Sequence, residues 1–269
     1  MTTQGSVPLA PVAATGHRKL APIIAVGVIA GFLAGLFGVG GGILIVPGLV
    51  LAAGMDQRLA HGTSLAAVLP ISLASLVTYS SHDNVDWTAA AFLSIGAVVG
   101  AVIGTKLLHA LPHRTLGMLF AAVLIVSAIR LFFSPEADGR GALTVSVALA
   151  LVALGLATGV LAGLLGVGGG IVMVPAMILL FGIAPVVAKG TSAAVIIPTA
   201  VMGTWRNRKN GNTDLPAAAI VGVAGIVTAA LGASVADVMS DSLSNVLFAT
   251  LLLAVAARLL WQLNRERVG

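Results

Sequence analysis

The chain alternates between long apolar segments and short polar borders. Four apolar runs reach or approach the ~20 residues that a helix needs to cross a hydrocarbon core of ~30 Å. These runs occupy residues 65–79, 89–105, 116–133 and 243–261. The pattern predicts helices at about 20–37, 43–53, 58–80, 87–109, 114–133, 148–165, 171–181, 186–208, 215–237 and 242–261. We therefore expect an all-α polytopic membrane protein.

One stretch of this pattern occurs twice. The sequence GFLAGLFGVGGGILIVP at 31–47 returns as GVLAGLLGVGGGIVMVP at 159–175, identical at 13 of 17 positions. The same offset of 128 residues aligns further pairs without a gap: His61-Gly62-Thr63-Ser64 with Lys189-Gly190-Thr191-Ser192, Pro70 with Pro198, Asp86 with Asp214, and Gly104 with Gly232. A match of this length indicates a duplication.

The duplication divides the chain into two repeats of one integrated membrane domain. We predict a mobile N-terminal tail at 1–19, repeat 1 at 20–133, a linker at 134–147, repeat 2 at 148–262 and a C-terminal tail at 263–269. The linker contains SPEADGRGA, a charged and turn-rich segment. The N-terminal tail places its charges after a weakly apolar stretch, which is the reverse of a cleavable signal peptide.

Each repeat begins with an interrupted helix. Residues 20–53 would form a helix of about 51 Å at 1.5 Å per residue, which is too long for one straight crossing. We therefore expect each repeat to contain a broken or re-entrant glycine-rich helical pair followed by three transmembrane helices.

Loop charge predicts that the two repeats run in opposite directions. Lys and Arg gather in cytoplasmic loops, and four borders carry them: Arg18 with Lys19, Lys106 with Arg114, Arg206 to Lys209, and Arg265 with Arg267. Three acidic borders would lie outside: Asp83 with Asp86, Glu136 with Asp138, and Asp237 with Asp241. Because equivalent loops carry opposite signs, we expect inverted-topology repeats in a bacterial-type inner membrane, with both termini cytoplasmic.

Arg130 is the exception to this charge pattern, and a shift of one element boundary would make the repeats parallel instead. Inverted repeats are typical of transporters, which bind substrate near the midplane at broken helices.

Four aromatic residues lie where interfacial anchors are expected: Tyr79, Trp87, Trp205 and Trp261.

Composition and charge exclude several classes of protein. Hydrophobic residues make up 58% of the chain and charged residues 9%. The polar side chains are therefore too few to cover the surface of a water-soluble globule. Because the chain has no Cys, disulfides, thiolate metal sites and cysteine catalysis are excluded. The net charge of +5 is spread over segment borders, so no nucleic-acid partner is expected. We expect no cofactor, no bound metal and membrane lipids as partners.

The two glycine-rich segments are the first candidate site. Glycine permits positive φ and exposes backbone N–H groups, and a helix N-terminus attracts anions. Tight turns for close helix packing are the alternative interpretation. The candidate residues are Gly38, Gly40, Gly41 and Gly42 in repeat 1, and Gly166, Gly168, Gly169 and Gly170 in repeat 2.

Hydroxyl and basic residues follow the glycines in each repeat. Thr63 with Ser64, and Thr191 with Ser192, are predicted at the start of the next helix, where hydroxyls either cap N–H groups or donate to an anion. His61 and Lys189 precede them and would supply positive charge, or would be loop residues at the membrane border.

The acidic residues limit the mechanism. All nine fall in loops or at predicted helix ends, whereas a carboxylate in midmembrane usually marks a cation or proton pathway. A carboxylate-based cation carrier is therefore disfavoured. Proton or ion coupling would use His61, a loop carboxylate or protonation of the substrate. Homo-oligomers are compatible with the apolar helix faces.

An enzyme and a passive channel are the alternatives to a carrier. An intramembrane enzyme would need a nucleophile with a histidine, or a metal cluster, inside the bilayer, and the five His residues lie in the tail or at segment borders. We therefore predict a non-enzyme. A passive anion channel is the nearer alternative, since it would use the same site.

The paired G-x-x-A-G-x-x-G-V-G-G-G-x-x-x-V-P motif, the G-T-S tripeptides and the loop ending in Val85-Asp86-Trp87 resemble the TauE/SafE family of sulfite and organosulfonate exporters. The resemblance covers nearly the whole chain. It implies a secondary transporter that exports sulfite, organosulfonates or related small sulfur oxyanions. The eight spans often described for that family would make the repeats parallel, in contrast to the loop charges.

Overall fold

The structure is a computed structural model that describes residues 20–107, 113–132, 144–165 and 168–265. The predicted tail at 1–19, most of the predicted linker, Gly166 and residues 266–269 lie outside the described residues. Within them the chain forms ten α-helices and no strands: α1 Leu20–Phe37, α2 Gly42–Ala53, α3 Gln57–Ser81, α4 Trp87–Leu107, α5 His113–Phe132, α6 Val145–Leu165, α7 Gly170–Phe181, α8 Pro185–Lys209, α9 Leu215–Val238 and α10 Asp241–Arg265. The predicted helices are thus confirmed, with their ends within about one turn.

Short polar and glycine residues set the helix ends. The Asp56 carboxylate accepts from the Arg58 N–H at 3.0 Å before α3, and the Asp214 carboxylate accepts from the Ala217 N–H at 3.1 Å before α9. Such caps satisfy N–H groups that have no acceptor within the helix. Gly54 and Gly182 end α2 and α7 in the left-handed conformation, with φ of 65° and 62°, which glycine adopts without a Cβ clash.

Seven of the described helices are long and apolar enough to cross a membrane. Helices α2 and α7 are not among them, because 12 residues span only about 18 Å. Large apolar side chains such as Val77, Leu180 and Val227 are exposed on the outside of the bundle, as expected for a protein that lies in lipid. The chain is a multi-pass membrane protein.

Helix α2 folds back along α1. A Cβ placed on Gly41 would lie 2.9 Å from the Ala30 carbonyl oxygen, and one on Gly48 would lie 2.7 Å from Val26 Cγ2. Sequence numbers therefore rise along α2 as they fall along α1. The start of α7 lies against α6 in the same manner, since a Cβ on Gly169 would be 3.1 Å from the Thr158 carbonyl.

The first helix of each repeat packs against a helix of the other repeat. Helix α1 packs parallel to α9 and α6 packs parallel to α4, each pair close enough that helix backbones nearly touch. A Cβ on Gly31 would lie 2.5 Å from the Gly225 carbonyl oxygen, and one on Gly100 would lie 2.2 Å from the Leu156 carbonyl oxygen. Small residues allow this approach, so each interrupted helix is held by the other repeat.

Helices α3 and α8 occupy equivalent places in the two repeats and pack antiparallel at the centre of the bundle. Leu65 near the start of α3 contacts Gly203 near the end of α8, while Tyr79 near the end of α3 contacts Gly190 near the start of α8. Val68 and Ile196, which are 128 residues apart, are fully buried midway along these helices. The crossing of α3 and α8 is where both interrupted helices end.

Candidate functional site

The glycine segments form two turns with left-handed backbone. Gly38, Gly40 and Gly41 have φ of 66°, 72° and 73°, and Gly168 and Gly169 have φ of 83° and 79°. Side chains other than glycine rarely adopt these values. Each turn leads directly into a short helix whose first residue is Gly42 or Gly170. We call these segments glycine turn 1 (38–41) and glycine turn 2 (168–169).

The structure brings the two glycine turns together. A Cβ on Gly40 would lie 3.1 Å from both Val68 Cγ1 and Ile196 Cδ1, and one on Gly168 would lie 3.6 Å from Ile196 Cγ2. Across the centre, a Cβ on Gly170 would be 2.8 Å from the Gly38 carbonyl oxygen. Both turns thus meet at the crossing of α3 and α8, midway along two membrane-spanning helices.

Two buried serine hydroxyls have no partner within the described part of the chain: Ser192 lies at this meeting point, and Ser64 lies on α3 one turn before Val68. Ser64 and Ser192 are 0% exposed, and neither Oγ has a hydrogen-bond partner among the described residues. Ser192 Oγ lies 2.8 Å from the Cβ position of Gly170, so it borders the N-terminus of α7, where the first N–H groups have no acceptor within the helix. The site therefore combines unpartnered hydroxyls with the N-terminus of a helix, a combination that can bind an anion.

Thr63 and Thr191 have a different role from their serine neighbours. They lie in the second turn of α3 and α8 rather than at the helix start. Thr191 Oγ1 accepts from the Asp86 N–H at 2.9 Å, and Thr63 Oγ1 accepts from the Asp214 N–H at 3.0 Å. Each threonine therefore holds the loop of the other repeat.

The glycines before these threonines make room for the same loops. A Cβ on Gly62 would lie 1.8 Å from the Asn212 carbonyl oxygen, and one on Gly190 would lie 2.1 Å from the Asn84 carbonyl oxygen. In each G-T-S tripeptide the first two residues thus dock a loop, and the serine is left for the central site.

Lys189 is a buried cation beside glycine turn 1. Its side chain is in α8 and 1% exposed, so the alternative of a border loop is wrong for this residue. Nζ donates to Ser244 Oγ at 2.6 Å and lies 5.9 Å from the centre of the Phe37 ring. A Cβ on Gly38 would be 2.5 Å from Lys189 Cα, which places the Lys189 backbone next to the turn. His61, its equivalent in repeat 1, is partly buried within α3.

Two functional features escaped the sequence-based prediction. Tyr79 is 1% exposed and its hydroxyl donates to the Gly35 carbonyl oxygen at 2.5 Å, so the prediction of an interfacial anchor is wrong for Tyr79. Trp87, Trp205 and Trp261 are all more than half exposed. Ser244, the partner of Lys189, lies in the polar first residues of α10, DSLSN, so nothing in the sequence pattern distinguished it from a helix-end residue.

The fold and the site define a class of protein. A multi-pass helical bundle built from a duplicated unit, with interrupted helices meeting at the centre, is typical of secondary transporters. The described residues contain no group of three or more His, Asp or Glu that could hold a metal.

The family model for the sulfite exporter TauE/SafE matches residues 23–183 and 151–268, and the chain belongs to this family. Similar proteins include the probable membrane transporter protein YunE of Bacillus subtilis, 29% identical over 216 residues that cover 71% of this chain and 79% of that protein. A probable membrane transporter protein of Xylella fastidiosa is 27% identical over 252 residues, covering 91% and 96%. The probable membrane transporter protein MJ0441 of Methanocaldococcus jannaschii is 28% identical over 246 residues, covering 86% and 91%. The chain is a membrane transporter of this family.

Proposed function

We propose that the protein is a secondary transporter that exports small sulfur oxyanions such as sulfite or organosulfonates. The observation that carries this proposal is the buried, unpartnered hydroxyl of Ser192 where the two glycine turns meet, together with that of Ser64, its equivalent on α3. Unpaired buried polar groups are uncommon because each costs roughly 1–3 kcal/mol. A ligand with several acceptor oxygens would satisfy such a hydroxyl and the nearby amides.

The chemistry of the site favours a small, weakly basic oxyanion. Sulfite and sulfonate groups present three oxygens that accept hydrogen bonds from N–H and O–H donors. Lys189, whose backbone faces Gly38, adds a positive charge, and Asp241 is a carboxylate that acts on it electrostatically. Neutral donors with one nearby cation would bind an anion without trapping it, as transport requires.

We further propose that the repeats have inverted topology in the inner membrane, with both termini cytoplasmic. The return of α2 along α1 and the antiparallel packing of α3 against α8 support this arrangement. With α2 returning to the side where α1 starts, three further crossings carry repeat 2 to the opposite side. The basic and acidic borders then fall on opposite faces, in agreement with the positive-inside rule.

Substitution of glycine turn 1 tests the proposal. Gly40→Ala would place a side chain in a left-handed backbone and 3.1 Å from Val68 and Ile196, which displaces the amides of the turn. Gly54→Ala is the matched control, because Gly54 has φ of 65° but no atom within 4 Å of its Cβ position. Both variants carry the same type of backbone strain, and only one carries it at the site.

Uptake of labelled sulfite and sulfoacetate into proteoliposomes is the measurement. Loss of one charge-assisted hydrogen bond, worth about 1.5–3 kcal/mol, is expected to lower transport by Gly40→Ala at least about tenfold, while Gly54→Ala transports normally. If folded Gly40→Ala protein transported as well as wild type, glycine turn 1 would have no part in binding.

A further inference from the structure

The two unpartnered serine hydroxyls lie at different depths in the bundle. Helices α3 and α8 run antiparallel, and Tyr79 on α3 contacts Gly190 on α8. Ser192, which follows Gly190 on α8, is therefore level with residue 77 of α3 and lies towards the acidic border. The stretch of α3 from Ser64 to this level spans about 20 Å at 1.5 Å per residue. Ser64 thus lies well away from Ser192, towards the basic border.

This separation limits what one anion can contact. An oxygen of sulfite or of a sulfonate accepts hydrogen bonds from donors about 3 Å away, so one small anion cannot contact Ser64 and Ser192 together. Both hydroxyls are 0% exposed and have no hydrogen-bond partner in the part of the chain that the structure describes. Each serine therefore needs an acceptor of its own.

Ser192 lies beside the start of a helix. Its Oγ is 2.8 Å from the Cβ position of Gly170, the first residue of α7. The N–H groups in the first turn of a helix have no acceptor within the helix and attract anions. A buried hydroxyl and a helix N-terminus thus converge at this place, which we call the acidic-side subsite (Ser192 with the start of α7).

Ser64 has an equivalent place in repeat 1. It lies one turn before Val68 on α3, so the two side chains share a face of the helix. A Cβ on Gly40 would lie 3.1 Å from Val68 Cγ1, so this face is turned towards glycine turn 1. Helix α2, which begins at Gly42, packs on α3 as α7 packs on α8. The repeat therefore predicts a basic-side subsite (Ser64 with the start of α2).

A third buried serine lies between these two depths. Ser72 is 1% exposed, and its Oγ has no hydrogen-bond partner among the residues described. It lies one turn after Val68 and so shares the face of α3 that carries Ser64. Its repeat equivalent is Ala200, so the shared fold does not require a hydroxyl here. Because burying an unpaired hydroxyl lowers stability, Ser72 calls for a function other than packing.

We propose that the transported anion occupies the acidic-side and basic-side subsites in succession and passes the Ser72 hydroxyl between them. The proposal rests on the transport function proposed above. The crossing between the subsites contains the apolar side chains of Val68 and Ile196, which are fully buried. Moving an anion past apolar groups is costly unless a donor compensates for the lost hydration, and Ser72 supplies that donor. Two weak subsites also release their anion more readily than one strong site.

The KM for sulfoacetate, measured separately from each side of the membrane, tests the two subsites. Uptake of labelled sulfoacetate is followed in vesicles of one orientation and then in vesicles of the other. Loss of a hydrogen bond to a charged group predicts that Ser192→Ala raises KM about 10- to 100-fold from the acidic side and leaves it unchanged from the basic side. Ser64→Ala should show the reverse.

The maximal rate of transport tests the role of Ser72. Ser72→Ala should leave the KM from both sides unchanged and lower the maximal rate about tenfold or more, because a donor between the subsites is lost. Ser75→Ala is the matched control on the same helix, since Ser75 Oγ already donates to the Ile71 carbonyl oxygen at 3.1 Å. This variant should keep the wild-type KM and maximal rate.

The possible results separate this proposal from the function on which it rests. If Ser64→Ala and Ser192→Ala each changed KM equally from both sides, or changed it from neither, the two subsites would be wrong while transport itself stood. An unchanged maximal rate in Ser72→Ala would remove Ser72 from the path. If the wild-type protein carried no sulfoacetate from either side, the proposed function would fail, and the two subsites would fail with it.

Discussion

Ser192 allows a test in which protein stability and substrate affinity are expected to move in opposite directions. Its hydroxyl is buried without a hydrogen-bond partner among the described residues. Since an unpaired buried polar group costs roughly 1–3 kcal/mol, Ser192→Ala should leave the free energy of unfolding unchanged or raise it by up to about 1 kcal/mol. A hydrogen bond to a charged oxyanion contributes about 1.5–3 kcal/mol, so the same substitution should raise the substrate Kd about 10- to 100-fold.

Two measurements on the same purified protein give the comparison. Thermal unfolding in detergent reports stability, and the concentration dependence of sulfoacetate uptake into proteoliposomes reports affinity. Ser64→Ala is expected to behave like Ser192→Ala. Ser75→Ala is the matched control, because Ser75 Oγ already donates to the Ile71 carbonyl at 3.1 Å and its loss should not affect transport. If both Ser64→Ala and Ser192→Ala kept wild-type affinity, the serine hydroxyls would have no role in binding.

Three further predictions concern packing, charge and topology. Gly190→Ala places a Cβ 2.1 Å from a backbone carbonyl of the facing loop and should destabilise the fold by about 1–3 kcal/mol or more in thermal unfolding, whereas Gly211→Ala, with open space, should cost less. Lys189→Met removes a buried cation and should weaken sulfoacetate binding about 10- to 100-fold; unchanged affinity would exclude Lys189 from the site. Reporters fused after Asp83 and after Lys209 should lie on opposite sides of the membrane, and a common side would contradict the inverted topology.

The helices and the glycine turns were predictable because their determinants are local. Apolar runs of spanning length give the helices, and the run Gly38-Val39-Gly40-Gly41 marks a backbone that other residues adopt with difficulty. The internal repeat added the equivalence of the two turns. The two turns meet at the crossing of α3 and α8 because α2 packs on α3, α7 packs on α8, and α3 and α8 pack on each other.

The roles of individual polar side chains depended on long-range packing and were not predictable in the same way. Thr63 and Thr191 bond to loops more than a hundred residues away in sequence, so the sequence alone could not separate them from the adjacent serines. Tyr79 lies near a helix end, where an interfacial position is the usual expectation. Only the approach of α1 brings the Gly35 carbonyl to its hydroxyl.

Counterflow of a labelled sulfur oxyanion tests the central claim most directly. Proteoliposomes loaded with unlabelled sulfoacetate or sulfite are diluted into a trace of the labelled anion, and internal label is followed with time under clamped membrane potential. A carrier exchanges anions at its central site, so label should accumulate transiently above equilibrium. A conductive flux without counterflow would identify a passive anion channel, and no movement of either anion would contradict transport of sulfur oxyanions.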